Sequence, residues 1–398
     1  VTVSPVDRPA LLVIGGGPAA LAAARGYRAA AGEGPVALVT DEGLAPYQRP
    51  PLTKGLLRHE SARADLPLER DAWFADHDVR LVTGRAVALD AQARTVTLSG
   101  GRTLHYEHCV LAPGSEPTRL PVPGADDPGV RTLRSLADFV ELDRRVTEDV
   151  RAIVVGSGFV GCEIAASLRL RGLAVTLVSD EHAPQHERLG PEIGARLADW
   201  LRGEGVDLRL GAPVARIVRH GERLTVETES GHAPTGELVV MAAGVRPRLE
   251  LALAAGLECP DGAIPTDERL RTALPDVWAA GDVAHAHHAV AGRRLRVEHW
   301  GDALAQGEVA GRSAAGDDGA VWEDPPGFWS TIGRRTLKHA AWGDGWSSVA
   351  VTPHAGGAFT ARYRDADGRL VGVLTHERDE DYELERSQLA GRTPVEAA

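Results

Sequence analysis

The sequence predicts an α/β protein in which two units of one kind are followed by a smaller α+β domain. Three observations carry this. An apolar strand, Leu11-Leu12-Val13-Ile14, runs into Gly15-Gly16-Gly17-Pro18-Ala19-Ala20 and an alanine-rich helix. About 140 residues later the pattern repeats, as Ala152-Ile153-Val154-Val155 and then Gly156-Ser157-Gly158-Phe159-Val160-Gly161. From about residue 317 the composition changes, and Asp365-Ala366-Asp367-Gly368 separates two strand-like runs as a hairpin turn does. Together they predict two Rossmann-like dinucleotide-binding domains plus a C-terminal α+β domain. The expected boundaries are 1–118 with 244–316 for a discontinuous first domain, 119–243 for the second and 317–398 for the third.

In the first unit Gly15 permits a tight turn after the strand, and Gly17 lets the backbone approach a pyrophosphate. The small Ala20 allows close packing of helix on strand, and the helix start presents free N–H groups and a positive dipole end. A second apolar strand, Val36-Ala37-Leu38-Val39, leads to Asp41, an acid placed about 20 residues on to accept from a ribose hydroxyl. A lone glycine triplet would be weak evidence; strand, glycines, helix, strand and acid in order are strong. Cys109-Val110-Leu111-Ala112 forms another strand, stopped by Pro113-Gly114, and Pro117, Pro121 and Pro123 make a stiff connector. The second unit keeps all three glycines and continues into the strand Ala174 to Val178. The apolar run Leu238 to Ala243 then reaches Gly244, and Val277 to Ala279 closes on Gly281-Asp282. Two such units imply two dinucleotides, a flavin and a nicotinamide.

Composition narrows the function classes. With 398 residues, 43% hydrophobic and 25% charged, the chain has material for two or three globular domains. A net charge of −12 argues against nucleic acid as a main partner. No apolar run suits a bilayer and no secretory leader is read, so a cytoplasmic protein without a membrane partner is expected. Cys109, Cys162 and Cys259 form no C-x-x-C, which excludes a relay through neighbouring thiols. His285, His287 and His288 lack the spacing of a zinc site and read as a solvated loop, so no metal is expected.

Motifs across nearly the whole chain resemble the FAD-dependent ferredoxin reductases of oxygenase systems, with apoptosis-inducing factor a more distant relative. They are Gly15 to Ala20, Tyr47 to Lys54, Gly156 to Glu163, Ala279 to Asp282, Val297 to Trp300 and Phe328-Trp329-Ser330. The resemblance implies FAD and NADH (or NADPH) as cofactors and a small iron–sulfur ferredoxin as partner, in a monomer or homodimer. It implies that Gly15, Gly17, Pro18 and Ala19 line the FAD pyrophosphate and that Asp41 holds the adenosine ribose. Arg49 and Lys54 would face the flavin, with Ala112 and Gly114 beside it. Val87 would touch the adenine through its backbone, and Arg134 would serve the diphosphate region. Gly281 and Asp282 would meet the ribityl chain or phosphate, and Glu298, His299 and Trp300 would lie by the isoalloxazine. Gly156, Gly158, Phe159, Val160 and Gly244 would form the nicotinamide dinucleotide site. A carboxylate in the first turn of a helix, as at Glu163, is favoured by the dipole alone. The resemblance pairs Glu163 with Lys54 near the flavin, where a cation stabilises reduced flavin; Lys54, Glu163 and Trp300 are thus the expected catalytic residues.

Ser179 stands where NADH-users of the family usually carry Glu. Ser179 and Asp180 are expected cofactor contacts, and either Asp180 or Glu181 could accept from a ribose hydroxyl. Asp180 or Glu181 would repel a 2′-phosphate, and no arginine follows until Arg188, so NADH is expected. Other departures are Ala20, Pro113 and the segment Thr331-Ile332-Gly333, which replaces acidic and glutamine residues. They leave open an NADH oxidase or a quinone or small-molecule reductase, and a flavoprotein that senses NADH and acts through a partner.

Overall fold

The computed structural model describes residues 7–147, 149–343 and 345–391. Its first sheet has five parallel strands in the order Val277–Ala279, His108–Leu111, Leu11–Ile14, Val36–Thr40 and Val79–Thr83. Leu11–Ile14 and Val36–Thr40 are buried at every position. Such continuous apolar runs belong to parallel sheets covered on both faces. The second sheet repeats the plan with Asp207–Arg209, Ala174–Val178, Arg151–Val155, Leu238–Met241 and Val130–Arg131, again all parallel. Between the two sheets, Ser115–Pro117 pairs antiparallel with Val245–Pro247. The third sheet is antiparallel, ordered Gly327–Ile332, Arg335–Ala341, Leu370–His376, Phe359–Arg364 and Ser348–Pro353, with the helix Asp379–Leu389 against it. Its expected hairpin turn is present: Asp365 accepts from the N–H groups of Asp367 and Arg369 at 3.0 and 2.8 Å.

One expectation fails. The histidine stretch is not a loop but the strand Ala284–His288, paired antiparallel with Arg293–Arg296. Alternating Ala and His residues bury Ala284, Ala286 and His288 and half-expose the other two histidines. Burial pushes the His288 imidazole below its ordinary pKa, and the ring bonds to the Asp324 carbonyl at 2.9 Å.

The glycines do specific steric work. A side chain on Gly15, at φ +147°, would run into the Ala112 carbonyl, and one on Gly156, at φ +106°, into the Ala242 carbonyl. Each turn is therefore wedged against the end of a neighbouring strand. Helices Pro18–Ala29 and Trp300–Ala314 meet backbone to backbone, with Gly307 against Ala19 and Gly311 against Ala23. Both helix starts, Pro18 and Trp300, consequently reach the same cleft. One buried cluster joins Leu52, Leu56 and Leu57 to Ile164 and Leu168 of the second unit and to Ile332, Leu337 and Leu374 of the third sheet. The three modules thus share apolar contacts around the cleft.

Candidate active site

The cleft measures about 2240 Å³. That exceeds the roughly 300–1,000 Å³ of a small-molecule pocket and leaves room for more than one cofactor-sized ligand. Of the residues singled out in the sequence, the first unit brings Gly15, Gly17, Pro18, Ala19, Asp41, Arg49, Lys54, Ala112 and Gly114 to its walls, and Arg134 joins them from the segment 119–243. Gly281, Asp282, Glu298, His299 and Trp300 line it further along, as do Gly158, Phe159, Val160, Glu163 and Gly244 on the other side. Val87, Gly156, Ser179 and Asp180 do not line it. Val87 is an exposed residue of the strand Ala86–Asp90, and Ala86 takes the wall position.

Glu163 is the joint between the modules. It is the fifth residue of Phe159–Leu170, just beyond the first turn where the sequence places it, and is 4% exposed, so its hydrogen bonds rather than the helix start hold the carboxylate. Its Oε2 accepts from Lys54 Nζ at 2.7 Å and from the Thr53 hydroxyl at 2.6 Å; its Oε1 accepts from the Ser330 hydroxyl at 2.7 Å. One donor pair comes from the first module and the third donor from the antiparallel sheet. Ser330 belongs to the Phe-Trp-Ser motif but had no role from sequence, because only packing of the third sheet turns its hydroxyl to Glu163.

A second polar group centres on Asp282. It accepts from the Ser115 hydroxyl at 2.5 Å and from Arg134 at 2.8 Å. Arg134 offsets the carboxylate's charge, so an anionic group can approach nearby. Arg49 is more committed than the sequence indicated: it pairs with Glu42 at 2.5 Å and bonds to the Tyr47 hydroxyl and the Arg134 carbonyl. The Tyr47 hydroxyl donates to Glu42 at 2.6 Å, and burial raises its pKa. Asp41 lies 3.5 Å from Arg248.

The second unit places the residues after its second strand differently from one another. Ser179 is buried and tied to Ser157 Oγ at 2.7 Å, while Asp180 is exposed away from the cleft. Glu181 lines the wall instead, accepting from the Ser157 hydroxyl at 2.7 Å and the Gln185 N–H at 3.1 Å. The cause is local: after the strand ends at Val178 the chain turns, so the residue next to the strand faces in, its neighbour faces out and the third returns to the cleft. Two exposed-looking acids side by side gave no sequence signal for which one returns.

The far wall is aromatic. Phe328 packs with Phe159, His299 and His339 at ring separations of 4.7, 4.8 and 5.0 Å. His299 is held by Asp302, 3.2 Å away. Burial, with smaller contributions from His299 and Arg188, lowers the His339 pKa to about 3 from its ordinary 6.5. Between these values the unfolded chain binds the proton and the folded protein does not, so stability falls as pH drops through that window. Thermal midpoints from pH 7 to 4 should therefore fall less steeply for His339→Leu than for the parent.

The turns also fit the group the sequence implies. Among the described residues, chain neighbours apart, no atom lies within 4 Å of a Cβ added to Gly17 or Gly244, so each turn leaves open space at the cleft where a side chain would stand. The two helix starts and the bare glycine backbone form a cradle suited to a pyrophosphate. Cys109 and Cys162 are buried, and burial raises both thiol pKa values, so neither is poised as a thiolate.

Comparison with known proteins agrees with this architecture. Residues 9–307 match the model of the family described as pyridine nucleotide-disulphide oxidoreductase. The chain is 31% identical to rhodocoxin reductase of Rhodococcus erythropolis, over 97% of this chain and 90% of that protein. It is 33% identical to the ferredoxin–NAD(+) reductase component of an anthranilate 1,2-dioxygenase system from Burkholderia cepacia, over 91% and 89%. A crystal structure of a ferredoxin reductase from Rhodopseudomonas palustris superposes with a TM-score of 0.91 at 31% identity, covering 98% of this chain and 96% of that one. The covalent putidaredoxin reductase–putidaredoxin complex gives 0.91 at 29% identity, covering 98% and 94%.

Proposed function

The chain belongs to the pyridine nucleotide-disulphide oxidoreductase family, and from that premise we propose an FAD-dependent enzyme that draws electrons from NADH. It delivers them singly to a small iron–sulfur protein of the ferredoxin type, serving an oxygenase or a cytochrome P450. The observation that carries this reading is that both glycine-rich turns open on one cleft, bridged at its centre by Lys54 and Glu163. The relatives named above are ferredoxin and rhodocoxin reductases, which supports the acceptor class.

FAD, when bound, supplies the conversion between a two-electron donor and a one-electron acceptor. The chain's own residues hold and tune it. Gly15, Gly17, Pro18 and Ala19 would carry its pyrophosphate on the start of Pro18–Ala29. Asp41 would accept from the adenosine ribose, and Asp282, its charge offset by Arg134, from ribityl hydroxyls. Lys54 would put a positive charge beside the flavin, held in place by Glu163. The start of Trp300–Ala314 would add a second positive dipole end. Gly158, Phe159, Val160 and Gly244 would hold NADH. Residues 1–118 with 244–316 would then form the FAD domain, 119–243 the NADH domain and 317–398 the third wall.

Anaerobic titration with NADH, followed by visible absorbance, tests the whole reading. A yellow protein that bleaches rapidly and then reduces a ferredoxin supports it; a colourless protein that takes up no added FAD overturns it. Gly17→Ala gives a local check. Because the site around it is open, the variant should fold with an unchanged thermal midpoint yet lose FAD affinity by about tenfold or more, the effect of roughly 1.4 kcal/mol. Fluorescence quenching on FAD binding measures this.

A further inference from the structure

We propose that Glu181, two positions beyond the usual one, is the residue that selects NADH over NADPH in this protein. The inference rests on the reading of the second unit as an NADH site and deepens it. In a strand–turn–helix–strand unit, the acid that reads the adenosine ribose stands at the tip of the second strand, facing the glycine-rich turn. Here the residue at that tip is Ser179, which is neutral, 4% exposed and absent from the cleft wall. Its hydroxyl is occupied, 2.7 Å from Ser157 Oγ and accepting from the Glu181 N–H at 3.2 Å. Asp180, the neighbouring acid, is exposed and off the wall.

Glu181 fills the vacancy from further along. Its Oε2 takes the Ser157 hydroxyl at 2.7 Å and the Gln185 N–H at 3.1 Å, which pins the carboxylate over the glycine-rich turn. Among the described residues no hydrogen bond engages its Oε1, so one oxygen stays open to the cleft for a vicinal pair of ribose hydroxyls. Ser157, Ser179 and Glu181 work as a set. Ser157, in the turn, supplies the donor that a glycine would lack. Ser179 is small enough to lie beneath the acid, where a second carboxylate would repel it.

The same geometry rejects a 2′-phosphate, which would bring close to two negative charges against a fixed carboxylate. Among the described residues no cation is bonded to the Glu181 carboxylate. Arg209, on the adjacent strand, is paired with Asp207 at 2.8 Å. Arg188 also lines the cleft, on the side of the third sheet, where its charge acts on His339.

The test is calorimetric titration of the FAD-loaded protein with NAD+ and with NADP+, which reads binding without turnover. The parent should bind NAD+ more tightly, and Glu181→Gln should shrink the NAD+/NADP+ affinity ratio by about tenfold or more, while Asp180→Asn leaves it within about twofold. Glu181→Gln keeps the size and an acceptor oxygen, so its fold is protected; Glu181→Ala should move the ratio the same way. An unchanged ratio in Glu181→Gln, or a collapsed ratio in Asp180→Asn, overturns the assignment while leaving the NADH reading intact. A parent protein that binds neither nucleotide overturns both.

Discussion

Glu163→Ala is expected to destabilise the protein by about 3–5 kcal/mol, the usual consequence of removing one partner of a buried ion pair. The cost arises because three donors lose their shared carboxylate, leaving Lys54 and Thr53 only longer bonds to the Pro50 carbonyl, at 3.4 and 3.3 Å. The Lys54 ammonium and the hydroxyls of Thr53 and Ser330 all bond to this carboxylate, and the side chains of Lys54 and Glu163 are only 14% and 5% exposed. Since the donors come from different modules, the loss also loosens the packing across the cleft. Thermal unfolding checks the stability. Glu163→Gln separates charge from bonding: it keeps an oxygen for one donor but frees the Lys54 charge. With FAD bound, that freed charge should favour the negatively charged reduced flavin and raise its midpoint potential. A potential that stays the same would mean that Lys54 does not act on the flavin.

The second large effect is expected from Gly311→Ala. An added methyl at this position meets the Ala23 carbonyl and the Tyr27 backbone nitrogen, neither of which can rotate away. Helices Pro18–Ala29 and Trp300–Ala314 must separate, with an expected cost of about 1–3 kcal/mol or more by overpacking. Both helix starts border the cleft, so FAD affinity should fall with stability. Gly203→Ala is the contrast. It ends the helix Pro191–Gly203, and among the described residues nothing beyond its own helix backbone and chain neighbours lies within 4 Å of an added Cβ, so there the better helix former should be neutral or stabilise by up to about 1 kcal/mol. Thermal midpoints of the two variants moving in opposite directions would show that the helix contact, not glycine content, sets the difference. Equal shifts would sink the close-packing account.

Much of this architecture is legible in the chain because it reflects local demands. Gly15 and Gly156 are required by turns that adopt positive φ against a carbonyl, and a steric requirement of that kind leaves a residue-type mark. The strands Leu11–Ile14 and Arg151–Val155 are visible because parallel strands covered on both faces need unbroken apolar runs. The Lys54–Glu163 pair was expected only through family resemblance, since nothing in the spacing of two residues so far apart in sequence says that they meet. The histidine strand was misread because His285 and His287 look solvated in sequence, whereas pairing with Arg293–Arg296 makes every second residue an inner one.

By itself, the sequence determined the two glycine-turn units, their order and the helix starts that face the cleft, because those depend on backbone conformation and neighbours along the chain. Only the tertiary structure decided that Glu181 rather than Asp180 returns to the wall, that Ser330 reaches Glu163 across modules, and that Arg49 is committed to Glu42. These are matters of side-chain direction and of contacts between distant segments. They are set by how the sheets pack together, and a linear pattern carries no record of that.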